Sequence, residues 1–118
     1  MSKNTGISMS IVIPVYNEAE SIVEVLTEVL QRLTQALNFE VIAVDDGSTD
    51  DTLERMIHLR NKCNAPLRII RHAANFGQST AIYTGIKAAR AEWVVTLDGD
   101  GQNDPADIPR LLEILQDP

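Results

Sequence analysis

The sequence has few of the residues that mark a secreted, membrane-spanning or nucleic-acid-binding protein. Cys63 is the only cysteine in 118 residues, which excludes an internal disulfide and fits a reducing compartment such as the cytosol. The N-terminal segment lacks the apolar core of a signal peptide, and no apolar run approaches the length that crosses a bilayer. The formal net charge of -7 argues against a nucleic-acid partner, because nucleic-acid phosphates would be repelled.

Two common phosphate-binding motifs are also absent. The segment after the first apolar run reads PVYNEA, so a dinucleotide-binding GxGxxG is missing, and no P-loop GxxxxGK[ST] occurs anywhere. The segment DGDGQND resembles the start of an EF-hand loop. However, Asn103 stands where that loop requires glycine, and Pro109 stands where it requires a bidentate glutamate. These three kinds of site are therefore excluded.

The residues that are present predict one α/β domain covering residues 1–118. Hydrophobic residues make up 44% and charged residues 23%, which is typical of a globular chain with one core. Four apolar, β-branched runs alternate with segments of helical periodicity. The runs that we interpret as strands cover residues 8–16, 39–46, 67–72 and 92–98. This alternation predicts a mostly parallel sheet of about four strands with helices on both faces.

Local signals predict where the helices begin and which side they bury. Asn17, with Glu20 three residues later, is expected to cap the first helix. Ser48 or Thr49 is expected to cap the second. The residues predicted to face inward are, in the first helix, Ile22, Leu26, Val29, Leu30, Leu33 and Leu37, and in the third helix, Ile82, Gly85, Ile86 and Ala89. A last helix is predicted from residue 107 onward.

The aspartates lie in two clusters, each directly after a predicted strand. Eight of the nine aspartates belong to these clusters, which comprise Asp45, Asp46, Asp50 and Asp51, and Asp98, Asp100, Asp104 and Asp107. Because the carboxyl ends of parallel strands meet at one edge, where ligands bind, both clusters are predicted to face the same site. Carboxylates at strand ends suit Mg²⁺ or Mn²⁺, and Gln102 offers a neutral oxygen. Asp104 and Asp107 fit helix capping better than a role in this site.

Four segments together resemble the family 2 glycosyltransferases. They are IVIPVYNEAESI, VIAVDDGSTDDT, NFGQSTAIYTGIKAA and WVVTLDGDGQNDP, in that order along nearly the whole chain. The resemblance implies a Rossmann-like GT-A fold that binds nucleotide sugars. The segment DGDGQNDPADIP is most similar to the branch that transfers a sugar to a polyprenyl or dolichyl phosphate. Relatives of this branch build envelope or cell-wall glycans.

By that resemblance, five residues should form the nucleotide pocket. Pro14, Tyr16 and Glu18 should line it, although Tyr16 equally fits an aromatic that closes the sheet edge. Asp45 should accept a hydrogen bond from the base, and Asp46 should lie nearby and support the loop.

The resemblance also implies a catalytic metal centre. Asp98 should lie near the ribose and the ion, and Asp100 and Gln102 should ligate the ion on the diphosphate. The ion, Mg²⁺ or Mn²⁺, would stabilise charge on the leaving group, which makes Asp98 and Asp100 the candidate catalytic residues.

Other residues near the site receive weaker assignments. Asn75 and Gly77 follow the third strand, where glycine permits close approach of the backbone. Gln78 stands where many relatives have a basic residue, so this position is not expected to neutralise phosphate charge. Arg71 and His72 are interpreted as surface residues at a strand end, and a solvated or packed side chain is expected for both His72 and His58.

The implied reaction is inverting transfer of a sugar from a UDP- or GDP-sugar to a lipid phosphate or a glycan hydroxyl. The expected location is the cytoplasm or the cytoplasmic face of a membrane, as in full-length relatives, and self-association is expected. Because relatives continue well beyond the DxD segment, we expect a truncated domain with weak or no activity alone. Two alternatives stay open: a non-catalytic nucleotide-sugar-binding fragment, and a haloacid-dehalogenase-type phosphatase with Asp98 as nucleophile.

Overall fold

Strands and helices alternate along the part of the chain that the structure describes. The structure is a computed structural model and describes residues 6–33 and 38–97. Its elements are β1 (Met9–Val15), α1 (Ile22–Leu33), β2 (Phe39–Asp45), α2 (Thr52–Cys63), β3 (Leu67–Arg71), α3 (Gln78–Ala88) and β4 (Trp93–Thr96). The four predicted strands and first three predicted helices are confirmed, whereas the predicted last helix and Leu37 lie outside the described residues. None of the described helices has the length and apolar character that crossing a bilayer requires.

The four described strands form one parallel sheet in the order β3-β2-β1-β4. The central strand β1 pairs with β2 over its full length, with Val15 opposite Asp45. Its pairing with β4 stops at Val12, opposite Thr96. Pro14 therefore lies beyond the last paired residue on that side, where a missing N–H removes no ladder hydrogen bond. The predicted parallel sheet is confirmed.

Helices cover both faces of this sheet, as the alternation predicts. Ile11 and Ile13 of β1 pack with α1 and α2 in the larger core cluster. Ile42 and Val44 of β2 point to the opposite face, where they pack against Ala81 of α3. Successive strand residues alternate between faces, so one strand can contribute to two apolar layers. The core is thus split by the sheet into a larger and a smaller cluster.

The buried side of α3 agrees with the prediction at Gly85 and Ala89, whereas Ile82 is only partly buried and Ala81 is buried instead. Ala81, Gly85 and Ala89 are buried as the helix crosses the sheet, but Ile86 is 44% exposed. A Cβ atom built on Gly85 would lie 2.3 Å from Cγ1 of Val12, so the helix backbone approaches β1 very closely. The small residues permit this approach and therefore face the sheet. Each residue turns the helix by about 100°, which points Ile86 outward.

The predicted helix caps are wrong for both α1 and α2. The backbone C=O of Glu18 accepts from Ile22 N–H at 2.8 Å and starts the first turn of α1, without a bond from Asn17. At α2 the N-cap residue is Asp51, whose side chain makes no capping hydrogen bond, and Thr52 N–H donates to Oδ1 of Asp50 at 3.0 Å, so neither Ser48 nor Thr49 caps this helix. Asn17 has a positive φ of 51°, and its side chain bonds to the loop after β2 instead.

Candidate functional site

The carboxyl ends of the strands lie along one edge of the sheet, as their parallel order requires. Hydrogen bonds extend the ladder past the strand ends, from Asp46 N–H to Val15 C=O and from His72 N–H to Asp45 C=O, both at 2.8 Å. At β4, Leu97 N–H donates to Val12 C=O at 3.0 Å. The loops that follow the described strands therefore begin at the same edge. Of the residues predicted for the site, Asp98, Asp100 and Gln102 lie outside the described residues.

Asp45 is the residue at this edge whose carboxylate is incompletely satisfied. The side chain is buried, with 1% of the residue exposed, and its Oδ1 accepts from Ser48 N–H at 3.1 Å. Its Oδ2 is buried and has no hydrogen-bond partner among the described residues. A buried carboxylate oxygen without a donor costs free energy, so such an atom is expected to receive one from a ligand. This geometry fits the predicted role of Asp45 as an acceptor.

Asp46 is equally buried but fully bonded within the chain. Its Oδ1 accepts from His72 Nδ1 at 2.8 Å and from Phe76 N–H at 2.9 Å, and its Oδ2 accepts from Gly77 N–H at 2.8 Å. Burial is the largest influence on the Asp46 pKa and raises it. The hydrogen bonds from His72, Phe76 and Gly77, with the charge of His72, together outweigh burial and hold the pKa below its usual value. Asp46 therefore supports the loop before α3.

The structure corrects the interpretation of His72 as a surface residue at a strand end. Only 11% of its side chain is exposed, and its Nε2 lies 2.9 Å from Thr84 Oγ1 of α3. The ring also contacts Phe76 edge-on, with centroids 5.5 Å apart. The available signal was its position directly after a buried strand, at the same edge as Asp46. Arg71, in contrast, is exposed as predicted.

Asn17 links the loop after β1 to the loop after β2. Its N–H donates to Ser48 Oγ at 2.9 Å, and its Oδ1 accepts from Thr49 N–H at 2.8 Å and from Asp50 N–H at 3.3 Å. The αL conformation of Asn17 is one that asparagine tolerates better than most residues. The sequence pattern did not identify this link, because it joins residues more than thirty positions apart.

The predicted pocket residues of the first loop lie beside this link. Tyr16 is 42% exposed, and Pro14 is half-buried at the end of β1. Glu18 donates its N–H to Thr52 Oγ1 at 3.0 Å, and its Oε2 accepts from Ser21 Oγ at 3.2 Å. The edge thus presents the exposed ring of Tyr16 two residues before the carboxylate of Glu18, which accepts a hydrogen bond from Ser21, directly before α1.

Asp50 joins this loop to the start of α2. Its Oδ1 accepts hydrogen bonds from the side chain and N–H of Thr52, and its Oδ2 accepts from Ala19 N–H at 3.3 Å. The Thr52 hydroxyl is the largest cause of a lowered pKa at Asp50, against a smaller opposing effect of burial. Asp50 is therefore a structural carboxylate that joins the two loops, because both of its oxygens accept hydrogen bonds from Ala19 or Thr52.

The loops after β2 and β3 touch through their backbones at Gly47. This residue has a φ of +75°, and a Cβ built on it would lie 2.5 Å from the carbonyl carbon of Ala74. The predicted Asn75 is exposed, and the predicted Gly77 has φ +103° and ψ 159°, a conformation almost confined to glycine. Gln78 begins α3. Gly47 therefore allows the two loops to pack in contact, and Gly77 supplies the backbone conformation that leads into α3.

No metal centre is formed by the residues within 6–33 and 38–97. No group of three or more histidine, cysteine, aspartate or glutamate side chains there is arranged to hold an ion. The residues predicted as metal ligands lie outside those ranges, so the metal site stays a prediction.

Comparisons with known proteins match the motifs of the sequence. The family model described as glycosyl transferase family 2 matches residues 10–118. A dodecaprenyl-phosphate galacturonate synthase from Rhizobium johnstonii is 38% identical over 94% of this chain and 33% of its own length. An undecaprenyl-phosphate 4-deoxy-4-formamido-L-arabinose transferase from Yersinia pestis is 40% identical over 99% of this chain and 36% of its length. The chain thus spans about a third of the curated relatives that it matches.

Solved structures agree on the fold. A mannosyltransferase from Pyrobaculum calidifontis, in complex with GDP-Man and Mn²⁺, superposes with a TM-score of 0.82 at 25% identity, covering 99% of this chain and 34% of its own. A glucosyl-3-phosphoglycerate synthase from Mycobacterium tuberculosis, solved with Mn²⁺ and UDP, gives 0.73 at 28% identity over 93% and 40%. The parallel sheet and its helices therefore have the predicted GT-A fold.

Proposed function

The chain belongs to glycosyl transferase family 2, and from this premise we propose that it forms the donor-binding part of a sugar transferase. The donor would be a nucleotide sugar, and the acceptor a polyprenyl phosphate. The acceptor class is supported by the relatives, two of which are named for transfer to dodecaprenyl or undecaprenyl phosphate. A cytoplasmic location, at the membrane face where a lipid acceptor would be met, is part of this proposal.

The observation that carries the proposal is Oδ2 of Asp45, a buried oxygen that has no hydrogen-bond donor within residues 6–33 and 38–97. It is a buried acceptor at the edge of a sheet of the GT-A type, where ligands of α/β proteins bind. A nucleobase brings a ring N–H that would satisfy this oxygen. Ser48 N–H already bonds to the other oxygen and so fixes the rotation of the carboxylate. Asp45 would therefore bind the base without rearrangement.

The remaining pocket residues would act around Asp45. Tyr16 has an exposed ring that offers a stacking face to a base, and Pro14 would give the pocket a rigid wall. Glu18 would line the side nearest α1. Asp46 would contribute indirectly, since three described hydrogen bonds already occupy its carboxylate.

Asp98, Asp100 and Gln102 would hold a divalent ion in this proposal. Their oxygen donors suit Mg²⁺ or Mn²⁺, and two family neighbours were solved with Mn²⁺. The chain reaches the ligand edge at Leu97, directly before Asp98, because Leu97 N–H bonds to Val12 C=O. When bound, the ion would offset the charge that develops on the leaving diphosphate.

The acceptor chemistry asks little of this part of the chain. An oxygen of a lipid phosphate is already anionic, so it would attack the anomeric carbon, with inversion, without a general base. A sugar hydroxyl would need a carboxylate base instead. Among the described carboxylates at the edge, Asp46 and Asp50 are occupied by hydrogen bonds, which favours the phosphate acceptor. Donor binding without sugar transfer is the second candidate function, and a turnover measurement separates it from the first.

Calorimetric titration of the chain with UDP, GDP and their sugars, with and without Mn²⁺, tests the proposal. We expect metal-dependent binding that Asp45→Asn weakens by at least ~10-fold, because a charged acceptor is lost. Glu54→Gln, which removes an exposed carboxylate on α2, is the matched control and should bind normally. Undiminished binding by Asp45→Asn, or none by the unmodified chain, would contradict the proposal. Turnover with a polyprenyl phosphate separates a transferase from a binding fragment.

A further inference from the structure

Asp46, His72 and Thr84 form a buried hydrogen-bonded row between β2, β3 and α3. The two ring nitrogens of His72 are both engaged, Nδ1 with Asp46 Oδ1 at 2.8 Å and Nε2 with Thr84 Oγ1 at 2.9 Å. Only 5% of the Asp46 side chain and 11% of the His72 side chain are exposed. A polar row of this kind is costly unless every member is bonded, and here each one is.

The row determines the tautomer of His72. An ionised carboxylate only accepts hydrogen bonds, and the lowered pKa of Asp46 keeps it ionised at neutral pH. Nδ1 must therefore carry a hydrogen and donate it to Asp46. In the neutral imidazole, Nε2 is then an acceptor and receives the hydroxyl hydrogen of Thr84. With a neutral ring, donation therefore runs from Thr84 to His72 to Asp46; with a protonated ring, Nδ1 still donates to Asp46 and Nε2 donates to Thr84 Oγ1.

Asp46, held in this way, also binds the loop that precedes α3 through hydrogen bonds. The same carboxylate accepts the N–H groups of Phe76 and Gly77, and the Phe76 ring rests edge-on against His72. Gly77 is the N-terminal boundary residue of α3 and has a conformation that few residues other than glycine adopt. The start of α3 is therefore held by the side chains of Asp46 and His72, which directly follow β2 and β3.

This loop packs against Gly47, which lies two residues after the proposed base-binding residue Asp45. Ala74 and Asn75 pack backbone to backbone on Gly47, which leaves no room even for a Cβ atom. Gly47 lies between Asp46 and Ser48, and Ser48 N–H holds Oδ1 of Asp45. A shift of the loop before α3 would displace Gly47 and with it the donor that orients Asp45. Close-packed interiors transmit such displacements because they contain few voids into which neighbouring atoms could move.

We propose that His72 is a positioning residue of the donor site, acting as the Nδ1–H tautomer through Asp46 on the loop before α3 and on Asp45. It is not a catalytic residue, because both of its ring nitrogens are bonded within the chain and neither is free for a substrate. This inference rests on the proposed donor-binding function, since it assigns a support to that same site.

Three variants test the row at different points. Thr84→Val removes the hydroxyl but keeps the volume, so it frees Nε2 of His72 with little change in packing. His72→Asn keeps a side-chain N–H that can reach Asp46 and loses the link to Thr84. His72→Ala removes both links. His58→Asn, at an exposed position on α2, is the control for a histidine substitution outside the row.

The readouts separate the row from its function. Nitrogen-15 NMR of the His72 ring reports the tautomer, and amide hydrogen exchange reports the Phe76 and Gly77 N–H groups. Calorimetry with UDP- and GDP-sugars reports donor binding. We expect the Nδ1–H tautomer, faster exchange of both amides in His72→Ala, and donor binding weakened by roughly three- to thirty-fold. His72→Asn should restore most of the loss, and His58→Asn should behave as the unmodified chain.

Each other result overturns the proposal. An Nε2–H tautomer would contradict the row itself. So would amide exchange rates at Phe76 and Gly77 that are unchanged in His72→Ala. Faster exchange with unchanged donor binding leaves the proposed function intact and removes His72 from it. If His72→Ala does not fold, Thr84→Val takes its place and must then show faster exchange at Phe76 and Gly77 and weaker donor binding than the unmodified chain. Absence of donor binding to the unmodified chain overturns both proposals at once.

Discussion

Asn17 accepts a hydrogen bond from Thr49 N–H at 2.8 Å and so joins the loops that follow β1 and β2, thirty-two positions apart. The same Oδ1 atom accepts from Asp50 N–H, and the Asn17 backbone N–H donates to Ser48 Oγ. These bonds surround the turn that carries Asp45 and Asp46. The side chain of Asn17, in an αL conformation, therefore holds the two loops together, along with the bonds of Asp50 and Thr52 to the first loop.

Asn17→Ala should lower the free energy of unfolding by about 1–2 kcal/mol, because two backbone N–H groups lose an acceptor and alanine disfavours a positive φ. Urea denaturation followed by circular dichroism measures the change. Glu20→Ala, which removes an exposed side chain of the same loop, is the control and should change stability by less than about 0.5 kcal/mol. Equal effects of the two substitutions would contradict the role assigned to Asn17.

The fold was predictable because it depends on signals that are local in sequence. The strands are continuous apolar runs such as MSIVIPV, buried on both faces in a parallel sheet. Alternation of strands and helices then fixed the parallel order and the ligand edge. The position of Asp45 and Asp46 at that edge followed without any knowledge of side-chain contacts.

The side-chain partners at the edge were not predictable, because they join distant positions. The bond between His72 and Thr84 depends on how α3 crosses the sheet, and that crossing is set by the contact of Gly85 with Val12. The same contact turned Ile86 outward, against the helical pattern. Asn17 looked like a helix cap by residue type, but its backbone conformation directs it to a different loop.

Gly47→Ala should destabilise the chain by at least about 2 kcal/mol, because its positive φ and the backbone of Ala74 both oppose a Cβ atom. Gly6→Ala is a matched control: its φ is +78°, but a Cβ atom built there would lie 3.8 Å from its nearest neighbour, the side-chain nitrogen of Asn38. Thermal unfolding of the two variants measures the difference. A loss at Gly47 no larger than that at Gly6 would show that the loops separate without cost.

Gly85→Ala should also destabilise the chain, by up to about 2 kcal/mol. Alanine favours a helix over glycine by about 1 kcal/mol, but a Cβ atom 2.3 Å from Val12 forces α3 away from the sheet, at a cost of about 1–3 kcal/mol. Ser79→Ala, at an exposed position of α3, should be neutral or slightly stabilising. Urea denaturation of both variants provides the measurement, and a stabilised Gly85→Ala would refute the close packing.

Glu40 should make stability depend on pH in the acid range. It is buried, and it accepts hydrogen bonds from Ser10 Oγ at 2.6 Å, Arg90 N–H at 2.7 Å and Arg68 Nη1 at 3.0 Å. Burial raises its pKa and is the largest single influence. The Ser10, Arg90 and Arg68 bonds and the Arg68 charge together outweigh burial and lower the pKa from its usual 4.5. A carboxyl with a lowered folded-state pKa stabilises the fold above its unfolded-state pKa and loses that contribution as pH falls through the folded value.

Glu40→Gln should therefore cost about 2 kcal/mol at pH 7, because a charged acceptor with three donors becomes neutral. The gap between variant and unmodified chain should narrow below pH 4.5 as Glu40 itself is protonated. Urea denaturation at a series of pH values measures it. Glu54→Gln, exposed on α2, should leave the free energy of unfolding within about 0.5 kcal/mol throughout. A Glu40→Gln gap that stays constant with pH would mean that packing, and not charge, accounts for the loss.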